Sequence, residues 1–371
     1  MQFTIPRQGL LDTLKAVKHA VSPRVTLPIL GNVLIKATSS DEVLLTATDL
    51  DLTIRRTVPA SVHRCGQTTI PFRLLHDYVA AGGGSDLTFD LDGETEVTTI
   101  TSGKRTARLH GVIVAEFPRR LEENEPTAST VVEAEDLLRN IGRVVVSASS
   151  DEARPVLTGV LLSTDKCALR MAATDGHRLT VATTQCTQPL AKPLLIPARH
   201  MAIVTKLLGK FDGEVTIAQM GFHAKLSFGN LTEVFSRVID GAYPNYEQVI
   251  PARYQTTMVV DASELVAEAK VMSIMAKDAA NVLRLRRENG ALQILAETAE
   301  VGSAETSIPA ESTGADEAQI AVSAKLLLDA VNSLQAERVR IGLNGPLSPL
   351  TVQSHPMDGA IVVVMPVRVP A

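Results

Sequence analysis

The stretch ATDGHRLT (residues 173–180) sets a carboxylate, a glycine, an imidazole and a guanidinium side by side, from Asp175 to Arg178. Such a cluster reads either as catalytic chemistry or as a hairpin turn whose polar side chains serve the backbone. An echo elsewhere in the chain bears on the choice. ATDLDLTI (47–54) repeats the frame, with Asp49 standing 126 positions before Asp175. The same offset relates TIPFRLLHDYVA (69–80) to LIPARHMAIVTK (195–206) through Pro71 and Pro197. It also relates EFPRR (116–120) to AYPNY (242–246) through Pro118 and Pro244. Three matches at one spacing mark an internal repeat.

A fainter third copy follows. AVSAKLLLDAVN (321–332) sets Ser323 where the prolines stood, and MVVDASELVAEAK (258–270) echoes TVVEAEDLLRNIG (130–142) and the opening FTIPRQGLLDTLK. The chain therefore divides into three diverged units near 1–128, 129–253 and 254–371, with polar links at 122–130 and 250–257. Each unit reads as a short strand, an amphipathic helix, strand pairs, a second helix opened by Pro or Ser, and further strands. Helices are predicted over 7–21, 72–82, 135–149, 198–210, 262–279 and 324–337. Asp92-Gly93, Asp212-Gly213, Asp240-Gly241 and Asn289-Gly290 are expected hairpin turns. The class is α+β with antiparallel sheets.

Composition agrees. The 371 residues exceed one ordinary core; 45% are apolar, 3% aromatic and none is Trp, so the cores are aliphatic and strand-favouring. Cys65, Cys167 and Cys186 form no CxxC pair and are odd in number, which points to a reducing, cytoplasmic setting. The N-terminus MQFTIPRQGLL lacks a signal-peptide pattern, and the apolar run AIVVVMPV (360–367) is strand-length, far short of a membrane span. Net charge is −5, but the charge is sorted: the predicted helices are net basic and the remainder acidic. Arg7/Lys15/Lys18, Arg139/Arg143, Arg199/Lys206/Lys210 and Lys270/Lys277 each recur at helical spacing. One such face is usually just solvated; several in an acidic chain suggest helices turned toward a polyanion.

Enzyme readings fare worse. No HExxH, paired-Cys or GxSxG pattern is present, so neither metal nor cofactor is expected. SGKRT (102–106) has Thr98 where a phosphate loop needs Gly, and Arg105 where it needs Ser or Thr. AGGGSD (81–86) reads as a helix cap and loop. The alternative to a polyanion-binding repeat protein is a scaffold with no role on DNA, or a hydrolase using Asp175 and His177. The first repeat keeps Thr48 and Asp49 but has Leu50 and Asp51 where Gly176 and His177 stand. The carboxylate thus belongs to the repeated turn and the histidine to the second unit alone.

TLPILGN (26–32), RPVLTGVLL (154–162), ATDGHRL (173–179), YPNYEQVIP (243–251) and VVVMPVR (362–368) together resemble the bacterial β sliding clamps, over the whole chain and in that family's order. The resemblance implies three repeated DNA-clamp domains, antiparallel sheets outside and paired helices inside, forming half of a ring. It implies a head-to-tail homodimer that encircles duplex DNA, slides, and tethers the replicative polymerase without catalysis. By position it carries DNA contacts onto Arg24 and Arg73; helix-face reasoning adds Arg154, Arg199 and Lys206. Asp151, Pro155 and Val156 stand where the family has polar and aromatic DNA contacts, so that contact is weakened.

The family's second feature is a pocket for short linear peptides of polymerases, the clamp loader and repair proteins. It falls on Leu157, Thr174, Gly176, His177, Arg178, Leu179, Pro244 and Val249. It continues through Leu347, Val363, Met365, Pro366, Val367 and Arg368. Gln248, where Arg is frequent, and the added residues 369–371 depart from the pattern. For the dimer contact, the candidate edges are KRTARL (104–109) and AVNSLQAERVRI (330–341).

Overall fold

The structure is a computed structural model that describes residues 1–22, 27–84, 86–93, 95–118, 126–229, 231–276, 281–298, 302–314 and 318–368. Among them are six α-helices: α1 (Arg7–Val17), α2 (Phe72–Ala81), α3 (Ala134–Val145), α4 (Ala198–Leu208), α5 (Ala262–Met275) and α6 (Ala324–Leu334). Each follows directly on a strand, and the residue at the switch explains why. Pro6 and Pro71 occupy N-caps, where the missing N–H costs nothing. Asp261 caps α5 by accepting from the Glu264 N–H, and Ser323 stands at the start of α6. The expected 7–21 helix is shorter as an α-helix, tightening into a 3₁₀ turn at Lys18–Ala20.

The chain partitions into two compact units. The first comprises residues 1–135, 187–191 and 203–238; the second comprises 136–186, 192–202 and 239–371. The second repeat contributes strands to both. The first unit holds a five-stranded sheet and an eight-stranded one in which Thr232–Arg237, from the second repeat, pairs antiparallel with Leu52–Pro59, from the first. The second unit holds a four-stranded sheet and a nine-stranded one, where Ala360–Val364 of the third repeat pairs in the same sense with Arg178–Gln185 of the second. Antiparallel sheets with helices packed on them are the architecture the sequence predicts. The cores are aliphatic, with Phe3 stacked on Phe89 at 4.7 Å as a rare aromatic pair.

Several expectations are corrected. Asn289-Gly290 is a true two-residue hairpin, both residues at positive φ (50° and 77°), and Asp92-Gly93 also lies between paired strands. Asp212-Gly213 instead leads from α4 into the strand Glu214–Met220, and Asp240-Gly241 lies in the link after Thr232–Arg237. The stretch 104–109 is an edge strand as expected, Arg105–His110. The stretch 330–341 is not an edge: it spans the end of α6 and the start of Arg338–Leu343, a strand paired on both sides. The four-stranded sheet has Gly302–Pro309 at one edge and Gln319–Ser323 at the other, where the Ala321 carbonyl already accepts from the Val367 N–H.

Candidate functional site

The turn that opened the sequence reading is built by its own side chains. Asp175 Oδ1 accepts from the N–H groups of His177 (2.8 Å) and Arg178 (3.0 Å). Thr174 Oγ1 accepts from Gly176 N (3.1 Å) and donates to the Arg178 carbonyl (2.6 Å). Gly176 takes a φ of 91°, which an L side chain resists. The Arg178 guanidinium then returns to Asp175 Oδ2 (3.1 Å) and reaches Asp329 Oδ2 on α6 (2.6 Å). Both carboxylate oxygens of Asp175 are thus held by backbone and guanidinium. The imidazole of His177 is exposed and receives nothing from Asp175, so the hydrolytic alternative has no base–orienter pair.

Next to the turn lies the end of the chain. After the strand Ala360–Val364, the Met365 N–H donates to the His177 carbonyl (2.9 Å) and the Val367 N–H to the Ala321 carbonyl (2.8 Å). The link that ends the second repeat supplies the remaining wall. It runs through Pro244 to a short 3₁₀ turn at Tyr246–Val249, with the Tyr243 and Tyr246 rings edge to face at 6.3 Å. Burial pushes the Tyr243 phenol well above its ordinary range.

These elements enclose a cavity of about 210 Å³. Its lining includes the predicted Leu157, Thr174, Gly176, Arg178, Leu179, Pro244, Val249, Val363 and Met365. Beneath it Ala172, Leu179, Val181 and Val363 form a buried apolar cluster on which Tyr246 and Ile250 pack. The site is therefore an apolar floor under a polar rim, the shape of a docking pocket. The predicted His177 does not line the cavity: its carbonyl holds the Met365 N–H and its imidazole is exposed. Leu347 is 71% exposed on the loop before Leu350–His355 and does not line the cavity, nor do Pro366, Val367 and Arg368. Asn245 and Tyr246 do line it and were not singled out, although both lie in YPNYEQVIP.

The predicted DNA-facing residues separate. Arg73 projects from the first turn of α2 with its side chain 94% exposed, 4.0 Å from Asp77. Lys206 is exposed on α4. Burial, then the charges of Lys206 and Lys18, hold the His19 pKa below its ordinary value, so those lysines converge on one place. Arg199 Nε approaches His200 Nε2 at 3.2 Å. Arg154 is engaged instead by Asp151 (3.0 Å), and its Nη1 stands 3.8 Å from where a Cβ on Gly176 would be, beside the pocket. The Ala153 N–H and that guanidinium keep the Asp151 carboxyl below the usual range. Arg24 lies outside the described residues.

Two helix-face basic residues have internal partners that spacing does not disclose. Arg7 donates to the Val79 and Ala80 carbonyls, both at 2.8 Å, closing the C-terminus of α2. Arg143, buried, donates to the Leu334 carbonyl at the end of α6 (3.0 Å) and pairs with Asp358. Among the described residues no three His, Cys, Asp or Glu side chains gather as a metal site, and no helix is long and apolar enough to cross a membrane.

Comparison with known proteins covers the whole chain. Residues 1–121, 131–245 and 247–368 match the N-terminal, central and C-terminal domain models of the DNA polymerase III beta subunit. The beta sliding clamp of Synechococcus elongatus is 30% identical, over 98% of each chain. That of Pseudomonas aeruginosa is also 30% identical, over 99% of this chain and 100% of that one. A crystal structure of the Pseudomonas aeruginosa sliding clamp bound to griselimycin superposes with a TM-score of 0.92 at 28% identity, covering both chains fully.

Proposed function

The chain belongs to the DNA polymerase III beta-subunit family, the β sliding clamps, and from that premise we propose that two copies close head to tail into a ring around duplex DNA. A sliding clamp is a processivity factor: it tethers the polymerase to DNA and has no catalytic activity of its own. The observation that carries the head-to-tail reading is a pairing rule. The last strand of repeat two pairs with Leu52–Pro59 of repeat one, and the last strand of repeat three with the equivalent Arg178–Gln185 of repeat two. The same rule leaves Arg105–His110, the last strand of repeat one, and Gly302–Pro309 of repeat three, each at the edge of its sheet. Joining the first edge of one copy to the second edge of another continues the pattern and closes the ring. Arg105 and Arg108 on one edge and Glu305 on the other are exposed and of opposite sign.

On the helices, Arg73, Arg199 and Lys206, with Arg24, serve as phosphate contacts, positioned without base readout so that the ring can slide. The pocket at Thr174–Leu179, Pro244–Val249 and Met365 takes short linear peptides of the replicative polymerase, clamp loader and repair proteins, in the cytoplasm where the chromosome is copied. Its apolar floor supplies affinity and its polar rim fixes the peptide backbone. Gln248 replaces a rim cation and Arg154 adds one. It is also the expected site for griselimycin.

The test is topological. Loaded on nicked circular DNA, the protein should stay bound and then run off once the circle is linearised; equal retention on both forms overturns the ring. Native mass should be twice that of the chain. Arg108→Pro, which removes an outward-facing donor from the edge strand while sparing the pairs of Ala107 with Ile100 and Leu109 with Thr98, should yield monomers.

A further inference from the structure

We propose that Asp329, on the third repeat's second helix, is a positioning residue for the pocket that also sets its preference against acidic ligands. The inference rests on the peptide-docking reading and adds a residue that neither the resemblance nor the cavity lining identifies. Arg178 lines the cavity, yet its side chain is only 11% exposed. Its guanidinium is gripped at two ends, by Asp175 through Nε at 3.1 Å and by Asp329 through Nη1 at 2.6 Å. The two grips differ in origin. Asp175 belongs to the same turn as Arg178, so that pair forms wherever the turn forms. Asp329 comes from α6, so it acts only when the second and third repeats are in register.

Two consequences follow for a ligand. A charge-assisted bond of this length fixes the guanidinium plane against the wall, keeping the cavity open over Leu179 and Val363. The trio also carries two carboxylates for one guanidinium, a net charge of −1 if all three are ionised, so a carboxylate entering beside Arg178 meets repulsion rather than a free cation. Without Asp329, Nη1 becomes available to the ligand and the local charge rises from −1 to zero. Preference then moves toward acidic occupants.

The test uses the full-length protein and two synthetic hexapeptides with the same three large apolar residues, differing only in a flanking Asp or Asn. Their affinities are measured by displacement of labelled griselimycin. Wild type should favour the Asn peptide. Asp329→Asn, nearly isosteric at a partly exposed helix position, should move the ratio toward the Asp peptide by about fivefold, with Asp329→Glu restoring it. An unchanged ratio in folded Asp329→Asn overturns the positioning role. Should that variant fail to fold, the wild-type protein still decides. The Arg178 Nη protons should give separate, slowly exchanging resonances, and a single averaged signal overturns the proposal. Met365→Ala is the control for the underlying reading. If it weakens neither peptide, the pocket assignment fails and takes this inference with it; if it weakens both while the ratio stays fixed, only the role of Asp329 fails.

Discussion

At the join between the first and second repeats, Arg55 faces Glu233 and Thr53 faces Phe235; at the join between the second and third, Val181 faces Ile361 and Leu179 faces Val363. The strands, their sense and their register are the same, and cross-strand partners share a face. At the first join Phe235 is buried beneath two cations, the Arg55 guanidinium 5.0 Å and the Lys225 ammonium 5.5 Å from its ring centre, with Glu233 between them. At the second join the same face is aliphatic and becomes a pocket floor. One backbone plan thus makes a polar groove lined by Arg55, Lys225 and Glu233 or an apolar docking site, and the side chains on that face decide which. The turns beside the joins repeat the lesson. Asp49 accepts from the N–H groups of Asp51 and Leu52 as Asp175 does from His177 and Arg178, but the positive φ falls on Leu50 (81°) in one and Gly176 (91°) in the other.

The largest difference between the joins should appear in their ion pairs. Asp358→Ala leaves Arg143 buried without its acid and should cost about 3–5 kcal/mol in denaturant unfolding. Glu233→Gln at the first join, where both cations keep their ring contacts and some water, should cost about 1 kcal/mol or less. Equal losses would break the comparison. Next, Leu179→Thr gives the second join the residue of the first; it should lose about 2–3 kcal/mol and weaken griselimycin binding at least tenfold, read by calorimetry. Smaller still, Gly176→Ala should cost about 1–2 kcal/mol through its φ alone, since only Arg154 Nη1 stands near the new Cβ. Leu50→Gly should lie within about 0.5 kcal/mol of wild type, because relieved strain offsets added chain entropy.

The smallest effect is a titration. His19 is held neutral by burial and by Lys206 and Lys18, so its folded pKa lies below the unfolded value. Its contribution to stability is complete above the unfolded pKa and is lost as pH falls through the folded one. A duplex that neutralises those lysines should raise the His19 pKa, so binding takes up protons over the range where this imidazole titrates. An imidazole titration unmoved by DNA would place His19 away from the duplex.

How much of this was legible in the sequence follows from what each feature depends on. The repeat was readable because its turn is made by side chains: Thr48 and Thr174, Asp49 and Asp175 each bond the backbone of their own turn, and few residue types can do so. Asp-Gly pairs were weaker signals. Gly213 and Gly241 do have positive φ, 138° and 131°, but a positive φ also serves a helix exit or a link. Helical spacing found the faces of Arg7 and Arg143 but not their partners, which lie 72 or more positions away. In the pocket, residue type marked the apolar floor. The difference between the His177 imidazole and its carbonyl depends on where the chain end returns, which no local pattern records.

That returning end has a consequence of its own. Met365 and Val367 both use their N–H groups on neighbouring strands, and between them stands Pro366, which has none. In an extended segment successive N–H groups point to opposite sides, so the donor missing at Pro366 is the one on the side of Leu350–His355, the other neighbour of Ala360–Val364. Residue 366 therefore offers no donor toward that neighbour, and the ladder between the last two strands stops at Val364, at the rim of the pocket.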